Sequence, residues 1–91
     1  MYDLKYSSQF KKDLKQCAKR GCDLRKMETV LDILASGKPL PYEYHDHPLR
    51  NNWRGYRDLH IEPDWLLIYK IEGNTVILLA ATGTHSDLFK K

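Results

Sequence analysis

The chain contains no apolar run approaching the roughly 18–20 residues that a membrane-spanning helix needs, so no helical membrane segment is expected. The opening Met1-Tyr2-Asp3-Leu4-Lys5-Tyr6 lacks the apolar stretch of a secretory signal, which points to a cytoplasmic protein with no membrane partner. Cysteine is scarce. Cys17 and Cys22 are too few for a disulfide framework, and their spacing fits no familiar zinc knuckle. In a reducing compartment they are expected to be small apolar fillers near a helix end. Acidic residues are thin in the first third, where residues 1–26 carry eight cations against three acids and the rest of the chain is net negative. That asymmetry suits an anionic partner such as nucleic acid, although lysines along a helix are also the ordinary dress of a solvated face.

What is present describes one compact folding unit. With 91 residues, 42% hydrophobic and 30% charged, the chain is too apolar to be disordered and too short for a second core, so residues 1–91 are expected to form a single domain. Tyr2, Leu4 and Tyr6 alternate with polar residues as in a half-buried strand. Ser7 and Ser8 offer an N-cap to a helix over roughly 8–20, whose apolar positions Phe10, Leu14, Cys17 and Ala18 follow the helical period and which stops at Gly21. Asp23 can cap a second helix carrying Met27, Val30, Leu31 and Leu34 and ending at Gly37. So short a connection makes an antiparallel helical hairpin. Pro39 and Pro41 then forbid helix, and Lys38 to Asn52 reads as a long ordered loop. Tyr56–Ile61, Trp65–Ile71 and Thr75–Ala81 read as strands, with Trp65–Ile71 central, and Thr82-Gly83-Thr84 as the break before a short terminal turn or helix. The order β-α-α-β-β-β implies an α+β fold, a helical hairpin packed on a twisted, mainly antiparallel sheet.

The polar residues cluster on this layout. Leu59 and Ile61 face one way, under the helices, while Asp58 and His60 face the other, beside the loop that ends in His45-Asp46-His47. Asp64 lies in the adjoining turn and His85 follows the last strand. Such a set serves acid–base cleavage of RNA, because an imidazole titrates near neutrality and can act as base or acid. It also serves metal ligation through His45, His47, His60 and His85, though their spacings match no recurrent site. The third reading is exposed or packing histidines with no chemistry. Tyr44, Trp53, Tyr56, Trp65 and Phe89 beside Arg50, Arg54 and Arg57 fit the stacking and charge by which single-stranded RNA is held.

Three blocks carry a resemblance. These are His45-Asp46-His47-Pro48-Leu49, the run from Trp53 to Tyr69 that includes Gly55-Tyr56-Arg57-Asp58-Leu59-His60-Ile61-Glu62-Pro63-Asp64-Trp65, and Thr82-Gly83-Thr84-His85-Ser86-Asp87-Leu88-Phe89. In this order they resemble the YafQ branch of the RelE toxin superfamily, and the likeness covers nearly the whole chain. It implies a RelE-like, microbial-RNase-like fold. It also implies a type II toxin that acts as a ribosome-dependent endoribonuclease, cutting mRNA in the decoding site through the RNA's own 2′-hydroxyl. The family's catalytic positions fall on His47, His60, Asp64 and His85, with Phe89 assisting. His85 is then the acid, while the base is left open among His47, His60 and Asp64. No cofactor or metal is implied. The implied partners are the ribosome, mRNA and an acidic antitoxin of the DinJ or RelB kind, with the free toxin monomeric. Lys11, Lys12, Lys15, Lys19, Arg50, Arg54 and Arg57 are the expected contacts to RNA. One position departs from the pattern. Where the family reads R-T-G-T-H, Ala81 replaces the arginine, and with it a guanidinium that would stabilise charge on the scissile phosphate. An attenuated enzyme follows from this, or else a non-catalytic RNA- or protein-binding module of the same fold.

Overall fold

The computed structural model describes residues 1–89; Lys90 and Lys91 lie outside the described residues. Strand β1 (Asp3–Tyr6) leads into helices α1 (Ser8–Lys19) and α2 (Leu24–Ser36). After the loop come β2 (His47–Pro48), β3 (Arg57–Glu62), β4 (Trp65–Glu72), β5 (Val76–Gly83) and the short helix α3 (His85–Phe89). The five strands form one sheet in the order β1-β5-β4-β3-β2, parallel between β1 and β5 and antiparallel elsewhere. The expected α+β arrangement is present, with β4 at the centre.

Local chemistry places the helices. Ser7 accepts the Phe10 N–H at 2.9 Å at the start of α1, and Asp23 accepts the Arg25 N–H at 3.1 Å at the start of α2. Each such cap is worth about 1 kcal/mol. Gly37 closes α2 in the left-handed region, at φ 78°. The apolar stripes of both helices, with Phe10, Met27, Val30 and Leu34 all buried, pack against Leu59, Leu67, Tyr69, Ile77 and Leu79 on one face of the sheet. Fully burying side chains of this size stabilises the fold by roughly 1.5–3 kcal/mol each, which makes this layer the main source of stability.

Three features differ from the sequence reading. Cys17 and Cys22 are not separate fillers but a disulfide pair, their Cα atoms 5.4 Å apart. The left-handed turn at Gly21, φ 88°, folds the chain back at the end of α1 and brings them together. The long loop is partly regular: His47 and Pro48 pair with Asp58 and Arg57 and add a fifth strand. A two-residue strand has no periodicity to betray it. Finally, β5 runs on through Thr82 and Gly83. Thr82 is buried, with its hydroxyl donating to the Leu66 carbonyl and accepting from the Trp65 indole, so a residue that reads as a strand breaker is a strand residue with its polar atoms paired.

Candidate active site

The sheet's second face holds the histidines, and strand register puts them there. His47 pairs with Asp58, Asp58 with Ile68, and Ile68 with Ala81, so these four side chains form one row on one face. His60, paired with Leu66, lies on the same face one step along, and Leu66 is paired in turn with Gly83, which leads through Thr84 to His85. The imidazoles consequently form a continuous array. Ring centroids are 6.2 Å apart for His47 and His60, 5.5 Å for His60 and His85, and 6.3 Å for His85 and Phe89. All five expected catalytic positions are brought together, Asp64 by its contact with His85.

Each histidine is held differently. His85 approaches Asp64 Oδ1 with both its backbone N–H, at 2.9 Å, and its ring Nδ1, at 2.6 Å. These contacts keep the Asp64 carboxyl below the usual carboxylate range. A ring that donates Nδ1–H to a carboxylate presents Nε2 outward in a fixed tautomer. His47 Nδ1 lies 2.8 Å from the His45 carbonyl, and its Nε2 lies 3.1 Å from Asp58 Oδ1. His45 itself adopts φ 50°, a conformation uncommon outside glycine, at the turn that brings its carbonyl round to His47. Asp58 is 2% exposed, and burial pushes its carboxyl up while the neighbouring His47, His60 and His85 pull it down.

The helix carrying His85 is anchored from outside the array. Asp87 accepts the Thr84 N–H at 3.0 Å and binds the Arg20 guanidinium at 2.5 Å, and these bonds draw its carboxyl down to about 2. Gly83 is needed here, because a Cβ at that position would stand 2.8 Å from an Asp87 oxygen.

The expected RNA contacts divide. Lys11, Lys12, Lys15 and Lys19 are exposed on α1, in the layer that covers the other face of the sheet. Lys12 lines a cavity of about 630 Å³ that also touches Asp64, Thr84 and Asp87. Arg50 and Arg54 are exposed beside the loop. Arg57 is not brought to the histidines: it alternates with Asp58, faces the helical layer and binds Asp46 at 2.9 Å. Asp46 also accepts the Tyr69 hydroxyl, so the loop preceding His47 is pinned to the sheet through half-buried polar contacts. Trp53 and Tyr56 meet edge to face at 5.3 Å, and the Lys70 ammonium lies 5.4 Å from the Tyr56 ring centre. Lys70 was not singled out from the sequence, although strand alternation puts it on the same face as Ile68 of the central strand. The same alternation puts Asp58 on the site face; its burial was not legible.

Comparison with known proteins agrees with this geometry. The family described as a bacterial toxin of type II toxin-antitoxin system, YafQ, matches residues 2–90. A curated relative, the mRNA interferase toxin YafQ of Escherichia coli strain B / BL21-DE3, is 47% identical over 88 residues, covering 96% of this chain and 95% of the relative. The crystal structure of YafQ from E. coli BL21(DE3) superposes with a TM-score of 0.92 at 44% identity, covering 98% of this chain and 99% of that one. The toxin chain in the crystal structure of the E. coli DinJ-YafQ complex superposes with a TM-score of 0.89 at 46% identity, covering 98% and 99%.

Proposed function

The chain belongs to the YafQ family of type II toxin–antitoxin toxins and is an mRNA interferase, an endoribonuclease; on that premise we propose that it cuts mRNA on the translating ribosome by metal-independent acid–base catalysis. The RNA's 2′-hydroxyl is the nucleophile and the 5′-oxygen of the next nucleotide the leaving group. The products are a 2′,3′-cyclic phosphate and a free 5′-hydroxyl. His85 protonates the leaving oxygen through Nε2, and Asp64 orients it. His60, whose ring nitrogens have no hydrogen-bond partner among the described residues, takes the 2′-hydroxyl proton as base, whereas His47 has Nδ1 at the His45 carbonyl and Nε2 at ion-pair distance from Asp58. His47 supplies positive charge beside the phosphate when protonated, and Phe89 backs the His85 ring. The observation that carries this reading is the His60–His85 separation of 5.5 Å, with Asp64 fastened to His85, because a base and an acid must flank one phosphate.

An antitoxin partner is part of the proposal. The E. coli toxin is crystallised with DinJ, and an acidic segment of that kind suits the basic N-terminal third of this chain. The test is cleavage of a defined mRNA with and without translating ribosomes, with the ends mapped and the terminal phosphate identified. Cuts on ribosome-bound message, ending in cyclic phosphate and lost in His85→Ala, are expected. Equal cutting of naked message, or a His85→Ala variant as fast as its parent, would overturn the reading.

A further inference from the structure

Strand register carries the histidine face beyond the reacting groups. Arg57 pairs with Tyr69 and Asp58 with Ile68, so the same register carried one residue on sets Tyr56 opposite Lys70. Lys70 is paired in turn with Leu78, and Leu78 with Lys5. Tyr56 and Lys70 are two residues from Asp58 and Ile68, so this row lies on the histidine side of the sheet. The Lys70 ammonium lies 5.4 Å from the centre of the Tyr56 ring, and Trp53 meets that ring edge to face at 5.3 Å. Both rings are only partly buried. Among the described residues neither Lys5 nor Lys70 forms a salt bridge. One step farther, the row Glu72–Val76–Asp3 is acidic. The face therefore changes sign along the strands: cations and aromatics reach as far as Lys70, and the carboxylates beyond repel phosphate.

We propose that Trp53, Tyr56 and Lys70 form a second RNA subsite, which holds the message on the 5′ side of the cut. The two rings stack an unpaired base and Lys70 takes a phosphate. The polarity rests on the acid–base reading above. His85 serves the leaving 5′-oxygen, so the downstream nucleotide lies on its side of the site. His60 serves the 2′-hydroxyl, so the upstream nucleotide lies on the other. His60 pairs with Leu66 and Leu66 with Gly83, next to His85, whereas Lys70 pairs with Leu78, so the Tyr56 row lies on the side of His60 away from His85. Four residues separate Tyr56 from His60, about 13 Å along the strand. That is roughly four nucleotides when stacked, and fewer once the bases are unstacked. The acidic row ends the track there. Stacking tolerates any base, so the subsite supplies affinity and orientation without codon choice.

The test titrates the full chain into a dye-labelled RNA hexanucleotide methylated at every 2′-hydroxyl, which cannot be cut, and follows fluorescence anisotropy. Circular dichroism confirms the fold of each variant. Saturable binding is expected. Trp53→Leu and Tyr56→Leu should each weaken it roughly 5–150-fold, the range for losing one stacked base. Lys70→Gln should lower the slope of log affinity against log salt by about 0.7, the share of one single-strand phosphate, and Lys70→Arg should keep it. A spin label on the RNA's 5′ end should broaden the NMR signals of Tyr56, and one on the 3′ end those of His85. On translating ribosomes Lys70→Gln should raise KM severalfold while kcat holds. No saturable binding, an unchanged affinity in folded Trp53→Leu, an unchanged salt slope in Lys70→Gln, or the 3′ label at Tyr56 would each overturn the proposal. A chain that binds the probe in the expected orientation yet cuts no ribosome-bound message overturns the nuclease reading alone.

Discussion

Ala81 shares a cross-strand row with Ile68, Asp58 and His47, so a longer side chain there would extend from the histidine face and not into the helical core. In the proposed reaction an arginine at this position would add a cation where negative charge accumulates on the phosphorane. Losing one such donor typically costs about 10²–10³ in rate, so Ala81→Arg is expected to raise kcat on ribosomes by about tenfold or more, without a matching change in KM. In that background His85→Ala should reduce cleavage by about 10²–10⁴, the usual share of a general acid. His45→Ala is the informative neighbour. Its ring touches His60 edge-on at 5.9 Å, but the atom that holds His47 is its backbone carbonyl, which alanine keeps. Cleavage close to the parent's is expected, and a loss as large as that of His85→Ala would move His45 into the reaction. At this scale the sequence was a good guide to which side chains come together, because the resemblance transfers residue by residue. Where it failed, at Arg57, alternation along β3 had already put the guanidinium on the same face as Leu59, away from the histidines.

The secondary-structure elements carry two further predictions. Helix α3 is only five residues long and is held by Asp64 on His85 and by Arg20 on Asp87. Both carboxyls are depressed relative to their unfolded values near 4, Asp87 to about 2. Their contribution is therefore complete above about pH 4 and is lost as pH falls towards 2. Hydrogen-exchange protection of the Leu88 N–H, which donates to the Thr84 carbonyl, should report α3 loosening in that window; protection lost only above pH 5 would assign the anchoring to other groups. Helix α1 exposes Lys11 and Lys12 on the layer away from the histidines. If that layer meets ribosomal RNA, changing both to Gln should weaken binding. The slope of log affinity against log salt should then fall by about 0.7–0.9 for each phosphate that the variant no longer neutralises. An unchanged slope returns the two lysines to a solvated face. Caps and helix stripes were legible because they depend on residues within a few positions of one another. Strand β2 was not, because its pairing partner, Asp58, lies eleven residues beyond His47 and two residues show no period.

For the whole molecule, the basic first third and the histidine face lie on different layers of the fold, so a partner that covers both must wrap the domain. An acidic antitoxin segment that folds as it binds fits that requirement. Titrating the four histidines by NMR with and without antitoxin separates the two ways of inhibiting. Acidic side chains laid over the site should raise the imidazole pKa values, because a neighbouring carboxylate favours the protonated ring. If the pKa values stay put and ribosome binding is lost, the added bulk alone excludes the toxin. Inhibition by partial cover and bulk together is expected, seen as a rise at His47, His60 or His85 accompanied by loss of ribosome binding.

The sequence by itself determined the α+β order, both helices with their caps, the face on which His60 lies, and the motif positions that the family resemblance marks out. These follow from periodicity, capping and motif, which are properties of neighbours along the chain. Only the tertiary structure decided that Asp64 holds His85, that Asp58 is buried against His47 with no hydrogen-bond donor to its Oδ1 among the described residues, that Arg57 pairs with Asp46, and that Cys17 meets Cys22. Each depends on which atoms the packed sheet and loop bring within a few ångströms. Burial and pairing then set a charge's environment, and neither can be read from the residue that bears it.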